Sequence, residues 1–146
     1  MNEPGEKTIY QYTNPSHTIL DRFANPYNKE DDNLCGAIGT VHIEAPEFTS
    51  LCPLTGQPDF ATIVIDYEPD RWCIESKSLK LYLGAYRMAA QFHEACVCNI
   101  GNHLVHVLQP KSLQVQGRFT PRGGIPFWPT FTWNEKIAAL SKFMPR

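Results

Sequence analysis

The chain has 146 residues, 42% of them hydrophobic and 19% charged, a balance that fits one globular domain with a buried core. A formal net charge of -2 and a pI near 6.2 exclude the basic excess that coating a nucleic acid requires. No apolar run approaches the roughly 18 residues of a membrane span, and "MNEPGEKTIYQYTN" carries neither the basic nor the apolar block of a secretory leader.

Residues 1–38, rich in Pro, Asn, Asp and Gly, read as an irregular arm, and residues 39–146 as a single domain. "GTVHIEAP" (39–46) alternates Val41, Ile43 and Ala45 against His42 and Glu44, the period of a half-buried strand. "FATIVIDYEP" (60–69) does the same, with Ala61, Ile63, Ile65 and Tyr67 on one face. The segment between them, containing Cys52, Pro53, Pro58 and Asp59, is therefore a loop joining two strands.

A helix follows over 75–91, with Leu79, Leu83, Tyr86 and Ala90 inward and Ser76 or Ser78 as its cap. A second spans 92–109, with Phe92, Cys96, Ile100, Val107 and Leu108 inward and Pro110 as its stop. "SLQVQGRFT" (112–120) alternates again, "RGGI" (122–125) turns, and "PFWPTFTW" (126–133) reads as a Pro-interrupted edge strand. A short amphipathic helix over 134–143 ends the chain. The order strand, strand, helix, helix, strand, strand predicts an α+β fold: a four-stranded antiparallel sheet with two helices on one face. No G-x-G-x-x-G follows a strand, so no Rossmann crevice is expected.

Five cysteines (Cys35, Cys52, Cys73, Cys96 and Cys98), an odd number without an export signal, predict free thiols in a reducing cytoplasm. "HEACVC" (93–98) gathers metal-binding types, yet Cys96 and Cys98 lie about 200° apart around a helix, so no metal site is expected.

Three segments can converge at one end of such a sheet: the Cys52–Asp59 loop, "IESKSLK" and "FHE". Together "EFTSLCP-TGQPDFA", "ESKSLKLYL", "FHE-C" and "F-PRGGI" resemble, in order over residues 40–126, the 7-cyano-7-deazaguanine reductase family, nitrile reductases of the queuosine (tRNA modification) pathway. The resemblance implies the tunnelling fold, in which subunits join sheets edge to edge. The short length is similar to the form that assembles as a homo-oligomer of two facing pentamers. It implies NADPH as cofactor, a small-molecule nitrile as substrate, and no direct contact with nucleic acid or membrane.

Site roles follow from the same resemblance. Cys52 is implied as the nucleophile that forms a thioimide and Asp59 as the proton donor. A thiolate is suited to the first task, because it adds to a nitrile carbon and can leave again. Glu94 is implied as the acceptor of the substrate's guanine-like N–H and NH₂ edge, with His93 and the Ile74–Glu75–Ser76 stretch completing the substrate contacts. Favourable charge at a helix start also accounts for Glu94, and a structural role for His93. Lys77, Lys80 and Arg87 share one helical stripe suited to cofactor phosphates, as would a plain solvated face, and Arg122 is a further phosphate ligand. Met88 and Ala89 stand where many relatives carry Asn-His, so contacts made there are not carried over. Cys96, one turn after His93, is the expected partner of Cys52 in a reversible disulfide, or else a small core residue. Competing functions are an amidinotransferase adding ammonia to the same nitrile on tRNA, a non-catalytic base-binding protein of the same fold, and a cysteine hydrolase.

Overall fold

A computed structural model describes residues 8–27 and 38–141. Cys35 and the last two residues of the expected C-terminal helix lie outside the described residues. The elements are β1 (Arg22–Ala24), β2 (Val41–Leu51), β3 (Pro58–Glu68), β4 (Trp72–Ile74), α1 (Ser76–Gly84), α2 (His93–Leu108), β5 (Ser112–Phe119), β6 (Thr130–Asn134) and α3 (Glu135–Ser141). The main sheet is antiparallel, in the order β2-β3-β5-β6.

Strand alternation builds the core. In β3 and β5 the pairs Ala61–Phe119, Ile63–Gly117, Ile65–Val115 and Tyr67–Leu113 lie side by side on one face. Each of the apolar side chains in those rows is buried, against Cys96, Val97, Ile100, Leu104 and Leu108 of α2. Each fully buried Leu, Ile or Phe contributes about 1.5–3 kcal/mol of transfer free energy, so this layer dominates stability. Helix α2 lies close to the sheet because two glycines allow it: a Cβ on Gly117 would stand 2.7 Å from Val97 Cγ2, and one on Gly101 would overlap the Phe131 ring.

Several elements differ from the expectations. Strand β2 runs past Pro46 to Leu51, with a register shift between Ala45 and Phe48. Proline is tolerated there because β2 is an edge strand and the bulge removes the need for its N–H. The first helix stops at Gly84 instead of residue 91. Beyond it Arg87 N donates to Gly84 O (3.1 Å), and residues 89–91 extend along the end of β2: Leu51 N donates to Ala89 O (3.0 Å) and Gln91 N to Leu51 O (3.1 Å). Ala90 is consequently exposed, whereas Leu79, Leu83 and Tyr86 are buried with Tyr82. The α1 cap is Glu75, whose carboxylate accepts from Lys77 N and Ser78 N. Phe92, the N-cap of α2, points outward at 54% exposure, while Val107 is half-buried.

Within the segment expected to be an irregular arm, a 3₁₀ turn at His17–Ile19 precedes β1, which pairs with β4 as a separate two-stranded ribbon. Asn25 anchors that ribbon by donating to Asp70 O (2.7 Å). No helix among the described residues is long and apolar enough to cross a membrane.

Candidate active site

Cys52 opens the six-residue connection between β2 and β3, immediately after the Leu51–Pro58 pair. The loop is closed by Cys52 N donating to Gln57 O (2.8 Å) and Gly56 N donating to Cys52 O (2.9 Å). Gly56 has φ +71°, a left-handed conformation that disfavours any residue with a Cβ. The folded-back loop turns the Thr55 hydroxyl, then the Thr55 and Leu54 amides, towards Cys52. Those donors hold its thiol below the ordinary value of 9.0, against the opposing carboxylate of Asp59.

Asp59 belongs to the same row of β3 as Ala61 and Ile63, so the pleat sends its side chain towards the helix layer. It is 4% exposed. A buried carboxylate needs partners, and two are present. His93 Nε2 lies 3.2 Å from Oδ2, and the Arg122 guanidinium contacts Oδ1 as an ion pair without a well-directed hydrogen bond. His93, the first residue of α2, is held flat against Phe119 (ring centroids 3.9 Å apart, 11° between planes) and edge-on to Phe127 (5.9 Å).

Cys52, Asp59, His93, Glu94 and Arg122 line one open cleft of about 220 Å³, walled on its apolar side by Phe92 and Phe127. Glu94 stands exposed in the first turn of α2, where the helix dipole favours its charge. Phe119 and Phe127 were expected as strand residues, Phe119 also within "F-PRGGI", but not as part of the site. Their signal was the aromatic density of 119–128, which the two strand readings, 112–120 and 126–133, absorbed.

The remaining candidate residues sit elsewhere. Ile74 is buried at the end of β4, paired with Arg22 in the β1–β4 ribbon, with its N–H donating to Tyr67 Oη (3.0 Å). Glu75 is committed to the α1 cap, and its carboxyl is held below the ordinary range by the Lys77 and Ser78 amides. Ser76, Lys80 and Arg87 line a second, largely apolar cleft of about 620 Å³ between α1 and β2. There Lys80 lies 5.8 Å from the Tyr10 ring and Arg87 5.7 Å from that of Tyr12, with Tyr10 and Tyr12 stacked. Lys77 is exposed and outside that cleft, and Arg87 lies beyond the end of α1, so the three cations do not form one helical stripe. Arg122, expected among phosphate ligands, is the exception: it lines the Cys52 cleft and contacts Asp59. Cys96 is fully buried, and burial pushes its thiol up to about 11. Among the described residues no group of three or more His, Cys, Asp or Glu side chains is placed to hold a metal ion.

The chain is thus an α+β protein whose four-stranded antiparallel sheet carries a hairpin cysteine on the same cleft as a buried aspartate with its His and Arg partners. Comparisons narrow that class. A family model described as QueF-like protein matches residues 58–137. The chain is 55% identical over 119 residues to the NADPH-dependent 7-cyano-7-deazaguanine reductase of Methylorubrum extorquens (strain PA1), covering 80% of this chain and 73% of that protein. It is 52% identical over 132 residues to the protein of that description from Brucella anthropi (83% and 81% covered). Against the one from Streptococcus mutans serotype c it is 48% identical over 130 residues (89% and 75%). The chain belongs to the QueF-like family. The crystal structure of the archaeosine synthase QueF-Like in the apo form superposes with a TM-score of 0.61 over 66% of this chain and 95% of that one. At 15% identity that likeness is one of fold alone.

Proposed function

We propose that the chain reduces the nitrile of 7-cyano-7-deazaguanine to the aminomethyl group with NADPH, in the cytoplasmic biosynthesis of queuosine. The observation that carries this reading is the convergence of Cys52, Asp59 and Glu94 on one cleft, in a chain 55% identical to a reductase of that description.

A nitrile carbon is a poor hydride acceptor. The Cys52 thiolate, favoured by the Thr55 and Leu54 donors, adds to it while the nitrogen takes a proton from Asp59. The product is a thioimide, whose C=N accepts hydride more readily. NADPH, when bound, supplies the two hydrides. Between them Cys52 departs as thiolate, leaving the imine in the cleft, and Asp59, reprotonated from solvent, would give the second proton that completes the amine. Glu94 accepts the two donors of the base edge with its two oxygens, which orients the nitrile towards Cys52. The donor set of the larger cleft fits the cofactor: Lys80 and Arg87 suit phosphate groups, and Tyr10 and Tyr12 offer aromatic faces.

The fold is the tunnelling fold, and copies join into two facing pentamers. In support, β2 and β6 are the free edges of the main sheet. Leu54, Phe60, Ile125, Phe127 and Trp128 are exposed near the Cys52 end of the sheet, an apolar surface suited to a second copy. In that assembly the Ile74–Glu75–Ser76 stretch of one copy reaches the base bound beside Cys52 of another.

The test is to mix protein, 7-cyano-7-deazaguanine and NADPH and follow the nicotinamide absorbance. Two cofactors oxidised per nitrile is the expected result. No oxidation overturns the reading, and nitrile loss with ammonia but without cofactor use points to the amidinotransferase chemistry.

A further inference from the structure

The geometry points to Arg122 as the positioning residue of the proton donor, an assignment that rests on the nitrile-reductase reading above. Three features place its guanidinium. The Arg122–Ile125 turn is closed by reciprocal backbone bonds (Arg122 N to Ile125 O, 3.2 Å; Ile125 N to Arg122 O, 3.0 Å), with Gly123 and Gly124 at φ +55° and +76°. Thr120 N donates to Phe60 O (2.9 Å), pinning the segment before the turn to β3. The guanidinium then donates to Pro58 O (3.2 Å) while contacting Asp59 Oδ1, so it grips two consecutive residues of β3 at once.

The chemistry of the two partners gives the contact its meaning. A guanidinium has only donors and nothing that could accept from a proton on Oδ1, so the ion pair at Oδ1 leaves Oδ2 as the oxygen that carries Asp59's proton. Oδ2 is the oxygen that faces His93 Nε2 at 3.2 Å. Arg122 therefore selects the oxygen that delivers the proton. When the nitrile nitrogen takes it, the thiolate charge is consumed in the new C–S bond, and one negative charge appears on Asp59. Arg122, already in place, stabilises that charge without reorganisation. Both contacts are made by the one nitrogen Nη2, so a lysine keeps the charge but offers it as a single point on a more flexible stem.

A role in proton delivery and a role in holding cofactor phosphate separate experimentally, because thioimide formation needs no cofactor. The wild-type chain, R122Q and R122K are each mixed with 7-cyano-7-deazaguanine alone, and the adduct is timed by intact mass. Circular dichroism and iodoacetamide labelling of Cys52 verify the fold and the thiol. The expected result is a rate at least roughly tenfold lower in R122Q, on the scale of lost electrostatic stabilisation, with partial recovery in R122K. In turnover, kcat falls and the KM for NADPH stays unchanged. An adduct rate equal to wild type in R122Q, with a raised KM for NADPH, overturns the assignment and makes Arg122 a phosphate ligand. Absence of any mass gain on the wild-type chain overturns the nitrile reading itself, and this assignment with it.

Discussion

Asp59 pairs with Ser50 across the β2–β3 hairpin, two residues before Cys52. That register, with the pleat turning Asp59 to the helix layer, sets a buried carboxyl and a thiol on the wall of one cleft. A slip of one residue would turn Asp59 to the opposite face of the sheet. The acid and the nucleophile are thus coupled through backbone pairing rather than through any bond between their side chains.

Replacing Asp59 by Asn keeps the side chain's shape but removes the proton. Turnover is expected to fall by about 10²–10⁴-fold, the range for a general acid, while the base still binds. Steady-state kinetics alongside calorimetry of substrate binding checks this. Full activity in Asp59→Asn would assign the proton to another group.

The thiol of Cys52 is lowered chiefly by the Thr55 hydroxyl. A lowered thiol reaches its thiolate form at lower pH, so Cys52 alkylation rises with pH with a midpoint below the ordinary 9.0. Thr55→Val removes the leading donor and moves that midpoint upward. Peptide-resolved iodoacetamide rates across pH provide the measurement, and an unmoved midpoint would leave the lowering to the amides alone.

Glu94 is exposed, and the Glu94→Gln variant retains its place in the first helical turn. The change sets an NH₂ against the substrate's own donors, and such mispairing costs up to roughly 10⁴-fold in discrimination. Calorimetry with the nitrile base is expected to show a large loss of affinity with little change in melting temperature. Unchanged affinity would reduce Glu94 to a favourable charge at the helix start.

Cys52 and Cys96 are expected to bridge reversibly under peroxide, with the Cys52 sulfenic acid captured by Cys96. Cys96 is fully buried and its thiol is pushed up to about 11, so capture requires local opening at the start of α2. Peptide mapping without reduction decides between the two outcomes. Cys52 over-oxidised beside a free Cys96 would leave Cys96 as core packing only.

Gly101 faces the Phe131 ring, with no space for a Cβ. Gly101→Ala would gain helix propensity of about 1 kcal/mol but force β6 or α2 to shift, an overpacking cost of about 1–3 kcal/mol. A net loss of stability in urea unfolding is the expected sign, and a stabilised variant would show that β6 moves freely.

Features that depend only on neighbours along the chain could be read from the residues alone. The alternation of Ala61, Ile63, Ile65 and Tyr67 was legible because a strand's faces repeat every two residues. The Cys52 loop was legible from Pro53, Gly56 and Pro58, whereas Glu94 was singled out only through the family resemblance of "FHE-C". Tertiary structure decided the rest. The three-residue strands β1 and β4 carry too little pattern to be seen apart, and only their mutual pairing makes them strands. Helix α1 ends at Gly84 because residues 89–91 are claimed by Leu51, a competition invisible to the helical period of 75–91. Arg122 reaches Asp59 across 63 positions of sequence (122 − 59). Local propensity has no term for such a contact: a buried carboxylate must find a cation, and which cation arrives is settled by how β3, β5 and the Gly123–Gly124 turn are packed.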